Sequence, residues 1–447
     1  MADISVINLQ ETFESSRLDA EFYRNIPKEN PKLQYKKIKD ILTFVQYGIS
    51  IEMNENGEGY RIYRMNEIEG MFCIPDVLKF ANIPEKEMEK FKLKDRDVLF
   101  NRTNSFEFVG RTGLFREFSK EPYVFASYLV RVRPDKKTIL PEYLVAFLNC
   151  KYGVADIKRR ARISINQSNV SAQELQSIRI PQAPMELQER IKESFDESFK
   201  QLEEARKIYH ESEEILMKEM GFGEFKELHE ISFVKNSKDV IKSGRIDAEY
   251  FQPKYERILE QIKKYPNGYS NLSQIISIKD KNFTPEASEE YEYIELSNII
   301  GNGKIDNCTI EEGENLPTRA RRLVKEGDII ISSIEGSLQS CALITSEHDK
   351  SLCSTGFYVL DSDKINPETL LVMFKSPPFQ ALLKRGCSGT ILTAINKDEL
   401  NKIEIPIIDQ SIQNEIAKKI NECYKLRQMA KSLLNKSILQ VENFIEN

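Results

Sequence analysis

Two long stretches of the chain alternate hydrophobic and polar positions with the period of a helix that packs along another helix. Small or apolar residues recur at spacings of four and three between residues 191 and 216, and again, with one arginine, between residues 416 and 444. This spacing is typical of a coiled-coil seam. The first helix is predicted to begin near Pro184 and to end at Gly221, and Asp409 is predicted to cap the second. The residues assigned to the seam are Ile191, Phe195, Leu202, Tyr209, Leu216, Ile416, Ile420, Leu434 and Val441.

Each of these helices, at about 36 residues, is expected to be about 54 Å long, and neither can bury its seam alone. Each could pack on its own domain or on a second chain. Pairing within the chain is favoured, because the two seams match in length and in their content of small residues. Antiparallel pairing is preferred, and it would place one globular domain at each end of the pair.

The chain also repeats itself. Residues 17–23 (RLDAEFY) recur as residues 245–251 (RIDAEYF), and residues 171–181 recur as residues 396–406 with five of eleven positions identical. The offsets between copies run from 225 to 231 residues in constant order. A repeat of this length predicts two whole domains rather than a solenoid. Shorter matches join residues 65–70 to 296–301, 97–100 to 328–331, and 141–144 to 367–370.

Each copy combines strand and helix signals. The apolar runs 97–100 and 328–331 predict strands, and Pro141 and Pro367 open predicted helices. Ser171 and Asn396 are predicted to cap short helices, each with a glutamate three residues later. The predicted fold class is α+β, with two similar mixed α/β domains separated by two long antiparallel helices in a pseudo-two-fold internal repeat. The predicted boundaries are residues 1–182 and 223–408 for the two domains, 183–222 for the central helix and 409–447 for the C-terminal helix.

Composition narrows the class of protein. Hydrophobic residues make up 40% of the chain and charged residues 30%, which is typical of globular domains. Neither a signal peptide nor a run of about 20 apolar residues is present, so we expect a cytoplasmic protein without a membrane partner. Seven scattered cysteines and three histidines lack metal-ligand spacing, which predicts reduced thiols and no metal site. The net charge of the whole chain is −6, which equals the net charge of residues 186–227 alone, with 13 acidic and 7 basic residues. The remainder of the chain is therefore neutral on balance and can carry basic surfaces.

Sequence motifs of catalysis are absent. The chain contains no P-loop, no His-Glu-x-x-His, no Gly-x-Ser-x-Gly, and no Gly-x-Gly-x-x-Gly after a predicted strand. Residues 376–379 (SPPF) resemble the catalytic loop of amino-methyltransferases, in which a flipped base stacks on the aromatic ring. A cofactor-binding glycine loop is missing and the repeat partner of this segment lacks the motif, so a turn between two helices is the favoured interpretation.

Basic clusters and polar turns lie outside the long helices. Arginine can bind phosphates or guanine edges, and asparagine can pair with adenine. A charge run is usually a solvated face, but two similar domains with a basic patch each, on a rigid spacer, match the layout of proteins that read two DNA half-sites. The polar turns include residues 101–105, 166–169 and 332–333. The candidate DNA-binding residues are Arg64, Asn66, Asn101, Arg102, Thr103, Asn104, Arg111, Arg159, Arg160, Arg162, Ser297, Arg319, Arg321, Arg322, Ser332, Ser333, Lys384 and Arg385.

This arrangement resembles the specificity subunits of type I restriction-modification systems over nearly the whole chain. The resemblance rests on residues 97–105 (DVLFNRTNS) with Val109 and Gly110, and on an Ile-Pro followed by Gln-x-x-Ile before each long helix. The second motif occurs at residues 180–191 and again at 405–416. The Glu-Gln dipeptide usual in the family is Leu-Gln at 187–188 and Ile-Gln at 412–413.

The resemblance implies that this chain is not an enzyme and only recognises a sequence on double-stranded DNA. The target would be asymmetric and in two parts, and the two mixed α/β domains would be the target-recognition domains that read them. Methyltransferase subunits that carry S-adenosylmethionine would bind the helical spacer, and a restriction and translocase subunit would use ATP and Mg. No cofactor is expected in this chain. Three alternatives stay open: a related type IIG-like or other phage-defence methylation system, a coiled-coil scaffold that binds no DNA, and a methyltransferase that uses residues 376–379.

Overall fold

The computed structural model describes residues 12, 17–23, 26–165, 167–223, 229–306, 308–389 and 393–447, without the side chains of residues 21 and 300. The chain divides into two units. The first unit comprises Met1–Leu202 and Arg427–Asn447, and the second comprises Glu203–Leu426. Each unit therefore contains one mixed α/β region and one part of each long helix.

A six-stranded sheet forms the centre of the first unit. Leu129–Pro134 lies between Leu42–Tyr47 and Val98–Asn101 and runs antiparallel to both. Val98 and Phe100 belong to one hydrophobic cluster and Leu99 to another, because successive side chains of a strand point to opposite faces and both faces are covered. The remaining strands of this sheet are Thr112–Leu114, Phe72–Cys73 and Ile68–Glu69.

Smaller sheets and short helices complete the first unit. Tyr60–Tyr63 pairs with Phe80–Ala81 and with Tyr123–Phe125, Tyr35–Lys37 pairs with Arg179–Pro181, and Gln167–Asn169 lies between Arg162–Ser164 and Thr103–Asn104. The helices are Ala20–Tyr23, Glu85–Phe91, Pro141–Asn149, Lys151–Arg160 and Ala172–Ser177, with a 3-10 turn at Ile38–Ile41.

The second unit is built around two four-stranded sheets. In the first, the strand order is Ser277–Ile278, Phe357–Asp361, Ile329–Ser332 and Cys341–Leu343; in the second, it is Thr309–Glu312, Glu290–Ile294, Leu352–Ser354 and Ala320–Leu323. Two-stranded pairs are Tyr269–Asn271 with Glu404–Pro406, Ile299–Ile300 with Lys304–Ile305, and Cys387–Ser388 with Ala394–Ile395. The helices are Ser237–Ser243, Pro253–Lys263, Leu272–Ile275, Pro367–Lys375, Pro377–Gly386 and Lys397–Asn401, and 3-10 turns occupy Glu249–Phe251, Leu296–Asn298, Glu335–Ser337 and Ser346–His348.

The sequence repeat is a structural repeat. The two short helices predicted from the repeat are capped in the same way, since the Ser171 side chain accepts a hydrogen bond from the Glu174 amide and the Asn396 side chain accepts one from the Glu399 amide. The strand that follows pairs in register with an early strand in each unit, with Pro181 opposite Tyr35 in the first unit. Pro406 lies opposite Tyr269 in the second.

The central helix is Met185–Glu219 and the C-terminal helix is Gln410–Glu446. The central helix ends in a Schellman motif, in which the Phe222 amide donates to the Met217 carbonyl and the Gly221 amide donates to the Lys218 carbonyl. Gly221 has φ 76°, a conformation in which a side chain would be strained. At the start of the C-terminal helix, the Asp409 side chain accepts a hydrogen bond of 2.8 Å from the Ser411 amide.

The two long helices pair in opposite directions. In the first unit, Ile191 and Phe195 at the start of the central helix share a core with Val441 at the end of the C-terminal helix. The Ser198 hydroxyl donates to the Ala430 carbonyl at 3.2 Å. In the second unit, the end of the central helix packs with the start of the C-terminal helix, and Tyr209, Leu216, Ile416 and Ile420 belong to one core. The predicted fold class, including the antiparallel helices, is confirmed.

The burial of the predicted seam residues agrees with this pairing of the helices. All nine predicted seam side chains are buried except Leu202, which is partly exposed. The small residues Ser198, Ala205, Ser212, Ala430 and Ser437 are fully buried as well, which allows the two backbones to approach closely. Among the described residues, the helices fall short of the combined length and hydrophobicity that crossing a membrane requires.

Candidate nucleic-acid interface

In the first unit, a β-hairpin formed by Arg162–Ser164 and Gln167–Asn169 pairs with the segment that continues a central strand. Thr103–Asn104, which follows Val98–Asn101, pairs with Gln167–Asn169. The Asn169 amide donates to the Thr103 hydroxyl at 2.7 Å. The hairpin's outer strand, Arg162–Ser164, has all three residues exposed. Asn166, which belongs to the predicted polar turn at residues 166–169, lies outside the described residues.

Arg102 is held in place beside this hairpin. Its guanidinium carbon lies 5.0 Å from the centre of the Tyr47 ring, and Nη1 donates to the Ser127 carbonyl at 3.3 Å. Tyr47 is itself fixed, because its hydroxyl accepts a hydrogen bond from the Ala172 amide. A guanidinium that is stacked on a ring and only half-buried can still contact a phosphate or a guanine edge, and it loses little side-chain freedom when it does so.

A polar turn lies next to the same strand end. The Arg64 guanidinium and backbone amide both bind the buried Glu67 carboxylate, with Nε to Oε1 at 3.1 Å and N to Oε2 at 2.7 Å. The Asn101 side chain donates to the Met65 and Phe108 carbonyls and so ties this turn to the loop after the strand. Asn66 at the tip of the turn is exposed.

The basic run at residues 158–162 is mostly structural. Lys158 Nζ donates to the carbonyls of residues 106, 107 and 109, and burial lowers its pKa to about 8. Arg160 binds Asp156 and Glu174 at 3.0 Å each. Arg159 also binds Asp156, and burial lowers the pKa of its guanidinium. Of this run, only Arg162 combines a positive charge with an exposed side chain.

Exposed hydrophobic side chains lie on the hairpin of the first unit and shortly after Thr103–Asn104, the strand that pairs with it. Ile163 is 63% exposed, Ile165 is 92% exposed and Phe106 is 47% exposed. These residues are not among the candidates predicted from the sequence, although two isoleucines at alternate positions in a polar hairpin sequence were a usable signal. Exposed apolar side chains of this kind are found at surfaces that bind partners, including nucleic acid.

The end of the central strand, the hairpin and the polar turn together form what we call the frame of the first unit. The second unit repeats this frame with other side chains. Ile329–Ser332 is the counterpart of Val98–Asn101, and the residues after it again meet a hairpin, formed here by Cys387–Ser388 and Ala394–Ile395. The Ile395 amide donates to the Ser333 carbonyl at 2.8 Å, and Ile334 bridges Ala394.

An arginine-rich strand borders this second frame. The Arg319 carbonyl accepts a hydrogen bond from the Thr355 amide, and the next residue along, Gly356, accepts one from the Ser333 hydroxyl at 2.9 Å. These two bonds place Arg319 and Ser333 on neighbouring segments. Arg319 is exposed, whereas Arg322 donates to the Asn282 side chain at 2.7 Å and to the Asp280 carbonyl.

The two copies present different chemistry at matched positions. Arg102, Thr103 and Asn104 follow the strand in the first unit, and their counterparts in the second are a serine, an isoleucine and a glutamate at residues 333–335. The turn that holds Arg64 has its counterpart in the turn at Glu295, whose amide donates to the Asn298 side chain at 2.7 Å. The frame is therefore kept while its charge and hydrogen-bonding groups change.

The structure corrects part of the candidate set. Asn101, Arg160 and Ser332 are buried and hydrogen-bonded within their units, so they shape the frame and have no surface to offer to DNA. Thr103 is buried too and accepts the Asn169 amide. Exposed candidates are Asn66, Arg162, Ser297, Arg319 and Lys384; half-buried ones are Arg64, Arg102, Asn104, Arg111, Arg159, Arg321, Arg322, Ser333 and Arg385.

Several half-buried candidates also have partners within the protein. Arg111 stacks on Phe108, with its guanidinium carbon 4.0 Å from the ring centre. Arg321 donates to the Thr318 carbonyl. Arg385 stacks on Tyr250 at 4.6 Å and donates to its carbonyl at 3.2 Å, so it joins the helix Pro377–Gly386 to the segment that precedes Pro253–Lys263.

Residues 376–379 lie where one short helix ends and the next begins. Ser376 lies between the helices Pro367–Lys375 and Pro377–Gly386, and its hydroxyl donates to the Met373 carbonyl at 2.6 Å. Ser376 and Phe379 are both buried, and the Phe379 ring packs edge-on against Phe374. Residues 377–379 form the first turn of the second helix, so the interpretation as a turn between two helices holds for Ser376 alone.

Two mixed α/β regions with a repeated frame and paired long helices define a class of two-domain DNA-recognition proteins. Residues 30–210 and 266–438 match the type I restriction modification DNA specificity domain. These two matches cover most of the chain, and the chain belongs to this family, whose members are the non-catalytic recognition components of restriction-modification complexes.

The chain is also similar to individual proteins and to a solved structure. The chain is 22% identical over 423 residues to the type I restriction enzyme MjaX specificity subunit of Methanocaldococcus jannaschii, covering 92% of each chain. It is 27% identical over 180 residues to the EcoKI specificity subunit of Escherichia coli, covering 40% of this chain and 39% of that one. A crystal structure of the type I S subunit from M. genitalium aligns over 93% of this chain and 97% of that chain, with 12% identity and a TM-score of 0.39.

Proposed function

We propose that the chain reads an asymmetric DNA target in two parts, with residues 1–182 reading one part and residues 223–408 the other. The repeated frame is the observation that carries this proposal. In each unit, a central strand ends beside a hairpin and a polar turn, and the side chains at matched positions differ. A shared frame with different hydrogen-bonding groups reads two different short sequences.

In this proposal, the side chains that contact DNA are the accessible cations and amides of each frame. Arg102, Arg162 and Asn66 serve the first half-site, and Arg319 and Ser297 serve the second. Arg102 is the strongest candidate for a base contact, because its stacking on Tyr47 fixes the guanidinium plane. Exposed Arg162 has fewer constraints and suits a phosphate contact, which would position the unit without reading sequence.

The long helices carry the second part of the proposed function. Acidic residues dominate residues 186–227, and Glu204 and Glu214 on the central helix are exposed. A negative face repels phosphate, so this surface suits protein better than DNA. We assign it to methyltransferase subunits, which would carry S-adenosylmethionine. A restriction and translocase subunit would bring ATP and Mg, and this chain would act with them in the cytoplasm.

Selection from random duplexes tests the two-part address. The chain is co-purified with its cognate methyltransferase, and bound duplexes are sequenced after several rounds. We expect enrichment of two short specified sequences separated by an unspecified gap of constant length. Arg102→Ala should relax preference within one of the two sequences, and Arg179→Ala, a change of an exposed arginine that pairs with Glu29, should leave both unchanged. Enrichment of one continuous sequence, or of none, would contradict the proposal.

A further inference from the structure

Three metal-binding side chains meet in the second unit, and none of them is among the candidate DNA-binding residues. The ligand atoms of Glu292, Cys308 and His348 all lie within 4.8 Å of one another. They come from separate segments of the chain, since Cys308 and His348 are 40 residues apart in the sequence. The sequence expectation of no metal site rested on spacing along the chain, which is blind to this kind of convergence.

The sheet explains why these three side chains meet. Glu292 belongs to the inner strand Glu290–Ile294, which pairs on one side with Thr309–Glu312. Tyr293 lies opposite Thr309, so Cys308, one residue earlier, falls on the same face as Glu292 and diagonal to it. On its other side the inner strand pairs with Leu352–Ser354, and His348 sits in the turn just before that strand.

Hydrogen bonds join the Glu292 carboxylate to His348 and to Ser351. The His348 imidazole Nδ1 lies 2.8 Å from Glu292 Oε2, and the Ser351 hydroxyl donates to the same carboxylate oxygen. His348 is buried, whereas Glu292 and Cys308 are partly exposed, so a dissolved ion can reach the cluster. Of the seven cysteines, Cys308 is the one that is not buried in a core.

We propose that Glu292, Cys308 and His348 bind one divalent transition-metal ion, and that zinc suits this ligand set best. Thiolate, imidazole and carboxylate are the three ligand types that zinc takes in proteins, and a thiolate disfavours Mg and Ca. Water would complete a tetrahedral site. Binding requires that the Cys308 thiol lose its proton to solvent and that the imidazole nitrogen that binds the metal be unprotonated. The ion would link the two segments that lead into the strands on either side of Glu290–Ile294.

Cobalt titration of the chelator-treated full chain tests the site. Co²⁺ bound through a thiolate gives a sulfur-to-metal charge-transfer band in the near ultraviolet, together with visible bands of tetrahedral cobalt. We expect saturation at about one ion per chain and displacement of the bands by zinc. Cys308→Ser should abolish the charge-transfer band, and His348→Asn should weaken binding at least tenfold. Cys308 is partly exposed, so the serine variant should keep the far-ultraviolet circular dichroism of the parent chain.

A matched histidine variant separates this site from adventitious binding. His210 on the central helix lies within 3.5 Å of Glu213 and 3.4 Å of Glu214 without a cysteine nearby in sequence. His210→Asn should leave the charge-transfer band and the stoichiometry unchanged. Absence of the band in the parent chain, or an equal band in Cys308→Ser, would overturn the proposal. The experiment needs neither DNA nor a partner subunit, so its outcome is independent of the proposed function.

Discussion

A buried glutamine at the start of each long helix gives the sharpest test of how the units are assembled. Gln188 Oε1 accepts a hydrogen bond from the Leu140 amide at 2.8 Å, and its Nε2 donates to the Thr138 and Ala183 carbonyls at 3.1 and 2.8 Å. In the second unit, Gln413 accepts from the Asn366 amide and donates to the carbonyls of residues 364 and 408. These are the glutamines of the Gln-x-x-Ile motif, so the motif fastens each long helix to its own recognition region.

Replacing either glutamine with alanine removes three hydrogen bonds and leaves buried backbone groups without partners. At about 0.5–1.5 kcal/mol for each bond, we expect Gln188→Ala to lower the free energy of unfolding of the first unit by about 1.5–4.5 kcal/mol. Gln413→Ala should do the same to the second unit. Gln410→Ala is the matched control, because that side chain binds exposed Asn414 and its loss should change stability by less than about 0.5 kcal/mol.

Hydrogen exchange measured by mass spectrometry resolves the two units where a single unfolding curve would not. Gln188→Ala should increase exchange in peptides that contain Leu140 and leave those around Asn366 unchanged. Gln413→Ala should produce the reverse pattern. Gln188→Glu should destabilise further at neutral pH, because a buried carboxylate would face two carbonyls. Unchanged exchange at Leu140 in Gln188→Ala would refute the reasoning.

Three further predictions address recognition, assembly and pH. Arg102→Ala should cost about 1–3 kcal/mol of binding at one half-site in a competition shift assay, and equal loss at both half-sites would reject its assignment. Charge reversal of Glu204 and Glu214 should weaken co-purification with the methyltransferase, with unchanged recovery counting against the acidic face as its docking surface. The Asp247 carboxylate has a lowered pKa because it is hydrogen-bonded to Arg245, so its stabilising effect is present above about pH 4 and is lost as the pH falls through its folded pKa; acid unfolding of Asp247→Asn should show a weaker pH dependence than that of the parent chain.

Signals that are local along the chain were sufficient to predict much of the fold. The four-and-three spacing predicted both long helices, and the caps at Ser171, Asn396 and Asp409 were readable because a capping side chain bonds to an amide two or three residues away. The repeat predicted the number of domains and their similarity, because two copies of one pattern predict two similar domains without any knowledge of their topology.

Long-range pairing is what the sequence could not reveal. Arg160 belongs to a basic run, but it forms ion pairs with Asp156 and with Glu174, which is distant in sequence. Asn101 lies in a polar turn sequence, yet its amide bonds to carbonyls on two other segments. The metal-ligand cluster escaped notice for the same reason, since its members meet only when three strands are paired.

Mapping of methylated adenines in DNA from cells that co-express the chain with its cognate methyltransferase tests the central claim most directly. The account predicts modified adenines within a split sequence, whose two specified parts differ and are separated by a gap of constant length. Methylation at a single continuous sequence, at two identical halves, or without sequence preference would contradict it.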